Sequence, residues 1–163
     1  MQTETYMLMD VFTRSELMSR YAIIILGCND TTGYGKSVVA TALACHYATS
    51  YAESKDMPRD SAKVVITNTL DSARDIKWQP CHVWLIDEFK PADKESNVYV
   101  TESGLKKLFD PSVPCSMRAR ANDLCICEGV PRILPQTRAA WRIGLAPGSS
   151  AQLLCGARAL SSS

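Results

Sequence analysis

Two short stretches of this sequence carry residues in a pattern that chemistry can use. The first is Gly33-Tyr34-Gly35-Lys36-Ser37-Val38, a glycine-bearing loop that ends in Gly-Lys-Ser. Backbone N–H groups freed by glycines can curl around phosphate oxygens, and a helix starting at the loop adds the positive end of its dipole. In such a cradle Lys36 reaches the outer phosphates and the Ser37 hydroxyl sits on Mg²⁺. The second stretch is Asp87-Glu88, which closes the apolar run Val83-Trp84-Leu85-Ile86. At the end of a buried strand, Asp87 could hold Mg²⁺ directly or through water, and Glu88 could polarise an attacking water as general base. The chemistry implied is binding of nucleotide phosphates with Mg²⁺ and their attack by an activated water.

The loop departs from the phosphate-loop pattern G-x-x-x-x-G-K-[ST] at one position. Six residues before Lys36 stands Asp30, and the nearest earlier glycine, Gly27, is three residues further back. A carboxylate in a phosphate cradle is unfavourable unless it points outward or meets the metal.

These side chains need elements to position them. Residues 21–26 form a continuous apolar, β-branched run, the pattern of a strand buried on both faces. From Lys36 the positions Val39, Leu43 and Tyr47 recur at helical spacing, with Ala40, Ala42 and Ala44 as small fillers. That spacing predicts a helix to residue 51, followed by a polar loop over 53–62. Residues 63–69 read as a second strand, 71–77 as one or two helical turns, and 81–89 as the strand that carries the acidic pair. Residues 102–109 look helical, with Leu105, Leu108 and Phe109 on one face. The runs 124–127 and 130–134 flank a Glu128-Gly129 turn, either as a hairpin and a following strand or as two strands joined tightly. Cys125 and Cys127 read as the inward positions there, cysteine packing as a small apolar residue.

Strands alternating with helices predict an α/β fold in which ligands sit at the carboxyl edge of an open, mostly parallel sheet. Residues 1–20 are expected to be a helical lead-in, 21–147 the single domain, and the Gly-, Ala- and Ser-rich 148–163 a disordered tail.

A net charge of +1 leaves no global basic field, so any contact with nucleic acid needs a local patch. Arg118 and Arg120 are the candidates: two apart on a strand, they share a face and could meet successive phosphates. The same pair could equally be a solvated strand edge. Seven cysteines, an odd number, follow an acidic N-terminus that lacks the pattern of a secretory signal. Reduced thiols in a soluble intracellular protein are therefore expected, with nucleus or cytoplasm left open. His46 and His82 are isolated, and the C-x-C of Cys125 and Cys127 is not the usual zinc spacing. The longest apolar run, 22–26, is too short to span a bilayer, so no membrane partner is expected.

Residues 21–26, 27–37, 83–89 and the R-A-R…P-R-I-L text together resemble the ATPase domain of superfamily 3 helicases. The resemblance is closest to the replication-initiator (Rep) proteins of small circular single-stranded DNA viruses and their integrated relatives, and it covers residues 19–142. It implies a P-loop NTPase of AAA+-like, three-layer architecture with a central, mostly parallel sheet, and ATP and Mg²⁺ as cofactors. It further implies a helicase-type motor that forms a homo-oligomeric ring around single-stranded DNA in viral-type replication, with Arg118 and Arg120 facing the channel. In that family a strand ending in a polar residue, typically asparagine, senses the γ-phosphate. Here Pro135-Gln136-Thr137 follows Arg132-Ile133-Leu134, so Gln136 or Thr137 takes that place, and Arg138 or Arg142 that of an arginine finger acting on a neighbouring subunit. No H-x-H occurs, so the nicking activity of the relatives is not expected. Two other readings stay open: a degenerate nucleotide-binding module without turnover, and a generic P-loop NTPase with a partner other than nucleic acid.

Overall fold

The computed structural model of the protein describes residues 17–26, 35–89 and 97–136, together with Met7 and Asp10. In chain order its elements are α1 (Leu17–Arg20), β1 (Ile23–Leu26), α2 (Lys36–Ser54), β2 (Lys63–Thr67), α3 (Asp71–Arg74), β3 (His82–Ile86), α4 (Glu102–Leu108), β4 (Cys115–Met117), β5 (Leu124–Ile126) and β6 (Arg132–Gln136). A 3-10 turn at Arg59–Ser61 lies between α2 and β2.

Four strands form one sheet in the order β1-β6-β3-β2, and every neighbouring pair is parallel. The protein is thus α/β with a parallel sheet. Parallel strands end at the same edge, so Leu26, Thr67, Ile86 and Gln136 bring their following segments to one rim. The registers Leu26↔Gln136 and Thr67↔Ile86 fix the level of that rim.

Both sheet faces are covered, which explains why β3 and β6 are buried at every position. Strand alternation sends Val83, Leu85 and Ile133 to one side, where they meet Met18 and the α2 residues Ala40, Leu43, Ala44, Tyr47 and Ala48. The alanines bring the helix close, since a methyl group is all that separates its backbone from the sheet. Trp84, Ile86 and Leu134 face the other way, into a core shared with Trp78, Leu108, Met117, Leu124 and Ile126. The second face is therefore covered by the antiparallel β4–β5 pair and short helices. Inside it the Trp84 indole N–H donates to the Thr67 hydroxyl at 2.8 Å, and the Trp78 indole N–H to the Ala73 carbonyl at 3.1 Å. Both indole N–H groups are satisfied.

Some boundaries and faces differ from the sequence expectation. β1 is shorter than 21–26 and only half-buried, with Tyr21 exposed, because among the described residues it is an edge strand of the sheet. Cys125 is exposed, which corrects its inward placement, whereas Cys127 is half-buried and packs against the core. Leu124 and Ile126 take the core positions instead. A one-residue change of register exchanges the faces of a strand, and larger aliphatic side chains gain more from burial than a thiol does. The turn at Glu128 and Gly129 joins two different sheets: β5 pairs back with β4, and β6 inserts between β1 and β3. The 148–163 tail and most of the 1–20 lead-in lie outside the described residues. No described helix is long and apolar enough to cross a membrane.

Candidate functional site

At the rim, α2 begins immediately after Gly35, whose φ of +72° is left-handed. A Cβ there would meet nothing within 4 Å, so the dihedral angle, and not space, calls for glycine. Among the described residues no side chain caps this helix start, and its first turn holds no acidic residue. The N–H groups of Lys36, Ser37 and Val38 have no partners within the helix. A helix of 19 residues presents the positive end of its dipole here, and no side-chain oxygen of the described residues occupies it. Lys36 is half-buried, while Ser37 and Val38 are exposed.

The other half of the site follows β3. Asp87 extends the β2–β3 ladder by donating its N–H to the Thr67 carbonyl at 2.8 Å. Glu88 then turns the chain at φ +50°, a left-handed conformation rare for glutamate, and donates its N–H to the Pro135 carbonyl at 3.4 Å. Phe89 is clasped from the side. With the Gln136 amide oriented to satisfy both of its atoms, its oxygen accepts from the Phe89 N–H at 2.6 Å and its nitrogen donates to the Phe89 carbonyl at 3.3 Å. The Phe89 ring is buried edge-on against Phe109, with 6.2 Å between centroids. Three successive residues are thus tied to two neighbouring strands, which holds the Asp87 and Glu88 side chains at the rim.

The two halves meet. The Ser37 hydroxyl donates to Asp87 Oδ1 at 3.3 Å, although fifty positions separate them in the chain. A hydroxyl and a carboxylate side by side form an all-oxygen donor set that suits a hard cation such as Mg²⁺. Among the described residues no group of three or more His, Cys, Asp or Glu converges as a metal cluster. A cation at Ser37 and Asp87 would therefore complete its shell with water and phosphate oxygens, as Mg²⁺ commonly does.

Of the residues picked out by sequence, Lys36, Ser37, Val38, Asp87 and Glu88 stand together at this rim. Gln136 is there too, but it is buried and its amide is occupied by Phe89, so here it is a positioning residue. Gly33, Tyr34, Thr137, Arg138 and Arg142 lie outside the described residues. Arg118 and Arg120 are exposed on the strand-like segment that continues β4, in the layer covering the second face. The clasp on Phe89 and the left-handed Glu88 left no mark in the sequence, since both depend on β6 lying beside β3.

Burial is the largest influence on four titratable groups away from the rim. Arg132 is fully buried, and among the described residues none of its three guanidinium nitrogens has a hydrogen-bond partner. Burial pushes its pKa below the ordinary arginine value, partly opposed by the nearby Cys115 and Asp110. Burial also raises the thiols of Cys115 and Cys127 and lowers the imidazole of His82. The five described cysteines are free thiols.

The sequence matches no family model, and neither a curated protein nor a solved structure matches it at a significant level.

Proposed function

We propose that the protein is a P-loop NTPase with an AAA+-like core, binding ATP and Mg²⁺ at the rim where β1, β3 and β6 end and hydrolysing ATP to drive movement on single-stranded DNA. The observation that carries this reading is the 3.3 Å contact between Ser37 and Asp87, which joins the phosphate-loop motif to the acidic motif. In this reading the N–H groups at the start of α2 take the β- and γ-phosphate oxygens. Lys36 neutralises charge that develops on the transferring phosphoryl group. Ser37 and Asp87 orient Mg²⁺, which when bound would shield the phosphate charges. Glu88 accepts the proton of the attacking water. Gln136 keeps that base in register by clasping Phe89. Arg118 and Arg120 are the proposed contacts to DNA phosphates, and a ring of copies, with Arg138 as finger, follows from the helicase resemblance.

A second reading is favoured by one observation: the Gln136 side chain is buried with both amide atoms engaged by Phe89, which suits a positioning role better than sensing a γ-phosphate. On that reading the site binds ATP without turnover. One experiment separates the two: ATP titration and phosphate release, with and without single-stranded DNA, for wild type, Lys36→Ala and Glu88→Gln. A motor releases phosphate, loses binding in Lys36→Ala, and holds uncleaved ATP in Glu88→Gln. A binding module takes up ATP and releases no phosphate in any of the three. Wild type that binds no ATP refutes both.

A further inference from the structure

We infer that Tyr99 is a base-stacking residue, and that with Arg118 and Arg120 it forms a recognition surface for single-stranded nucleic acid. The surface is built by an antiparallel bridge between Val98 and Ala119. The Tyr99 N–H donates to the Arg118 carbonyl at 2.7 Å, and the Arg120 N–H donates to the Asn97 carbonyl at 3.2 Å. That pairing sets Tyr99 opposite Arg118, with Arg120 on the diagonal. Side chains directly opposite on paired strands have Cβ atoms about 5 Å apart, and diagonal ones lie at about 7–8 Å, within reach of long side chains.

Strand alternation then divides the residues cleanly. Val98 turns into the core, with only 4% of its surface exposed, and its partner Ala119 packs against the same cluster. Tyr99 turns outward with 52% exposed, and Arg118 and Arg120 are exposed beside it. The three line an open groove of about 490 Å³ together with Ala119. The nearby Asp123 carboxylate is engaged with the Ala119 N–H at 3.2 Å, and neither arginine has a carboxylate partner among the described residues.

An exposed aromatic face flanked by two exposed guanidinium groups fits a ligand that alternates anionic groups with flat apolar rings. Single-stranded nucleic acid has that chemistry: phosphates for the arginines, an unstacked base for the ring. A duplex offers the phosphates but keeps its bases stacked within, away from Tyr99. The inference thus deepens the DNA part of the proposed function by giving the surface a reason to prefer single strands over duplex. Phosphate contacts alone would give none.

The test is fluorescence anisotropy with the full chain and no nucleotide present, using labelled oligothymidylate and an abasic phosphodiester of equal length. Wild type is expected to bind oligothymidylate roughly 5- to 150-fold more tightly than the abasic strand, the range of one stacked base. Tyr99→Ala should bind the two strands alike, and Tyr99→Phe, which keeps the ring, should retain the preference. Arg118→Ala and Arg120→Ala should weaken both strands and each reduce the salt slope by about 0.7. Equal binding of both strands by wild type, binding of neither, or a preference that survives Tyr99→Ala overturns the inference. ATP titration without DNA reads the rim separately, so failure of this surface and failure of the ATP site are distinguishable.

Discussion

Glu88 combines two demands that pull apart, and replacing it separates them. Its backbone sits at φ +50°, where an L-residue with a Cβ is strained by about 1–2 kcal/mol. Its side chain is exposed and has no hydrogen-bond partner among the described residues, so little packing is lost on truncation. Glycine at this position would relieve the strain but widen the unfolded ensemble at a cost of about 0.5–1 kcal/mol, leaving a net gain between about 0 and 1.5 kcal/mol. Asparagine tolerates the left-handed region without that entropy term, so Glu88→Asn should gain up to about 1 kcal/mol. For a domain of this length 1 kcal/mol corresponds to about 2–4 °C in Tm. A β-branched residue suffers most there, so Glu88→Val should be the least stable of the series. Urea and thermal unfolding without nucleotide measure these shifts, with phosphate release measured alongside. Glu88→Gly and Glu88→Asn should fold at least as stably as wild type while release falls to background. If both lose more than about 1 kcal/mol, the strain argument is wrong; if either keeps wild-type turnover, Glu88 is not the base.

Three further outcomes follow from the packing. Gln136→Leu fills the same space but strands the Phe89 N–H and carbonyl, each worth about 1–3 kcal/mol when buried without a partner; denaturant unfolding should show the loss, and phosphate release should fall with it because Glu88 is no longer held. Arg132→Met replaces a buried guanidinium without hydrogen bonds by an apolar chain of similar length and should raise stability by about 1–3 kcal/mol, whereas a marked loss in urea unfolding would mean that the charge is compensated. For His82, burial and then Lys63 hold the imidazole below its usual 6.5, so the folded protein favours the neutral ring. The unfolded chain takes up a proton first as pH falls past that value. Stability is therefore intact above it, declines as pH falls through the lowered pKa, and levels off once the folded ring is also charged. His82→Gln should flatten that slope in unfolding measured across the acidic range, and an unchanged slope would remove His82 as its cause.

How much of this was legible in the sequence depended on whether the information was local. The long alanine-rich period after Lys36 reads directly as α2, and Val83 to Ile86 as a buried strand, because burial repeats along the chain at the period of the element. The rim could be anticipated for the same reason: Gly-Lys-Ser follows one apolar run and Asp-Glu ends another, and parallel strands finish at a common edge. Non-local features stayed hidden. The Phe89 clasp and the left-handed Glu88 arise only because β6 inserts beside β3, a neighbour that nothing around Glu88 encodes. Arg132 reads as a polar strand start, yet the register that pairs it with Trp84 buries it completely. Strands as short as β4 and β5 carry too few residues to fix their own phase, and the phase of Cys125 was settled by Leu124 and Ile126 competing for the core. The partnership of Tyr99 with Arg118 is of the same kind, visible only once Val98 is seen to face Ala119.

The central claim, that Ser37 and Asp87 come together to hold a metal-bound triphosphate, is tested most directly by calorimetric titration of ATP with and without Mg²⁺ into wild type and Asp87→Asn. Wild type should bind ATP with an affinity that Mg²⁺ raises by about tenfold or more, equivalent to about 1.4 kcal/mol, and Asp87→Asn should lose that gain. No ATP binding by wild type, or the same Mg²⁺ dependence in both proteins, would contradict it.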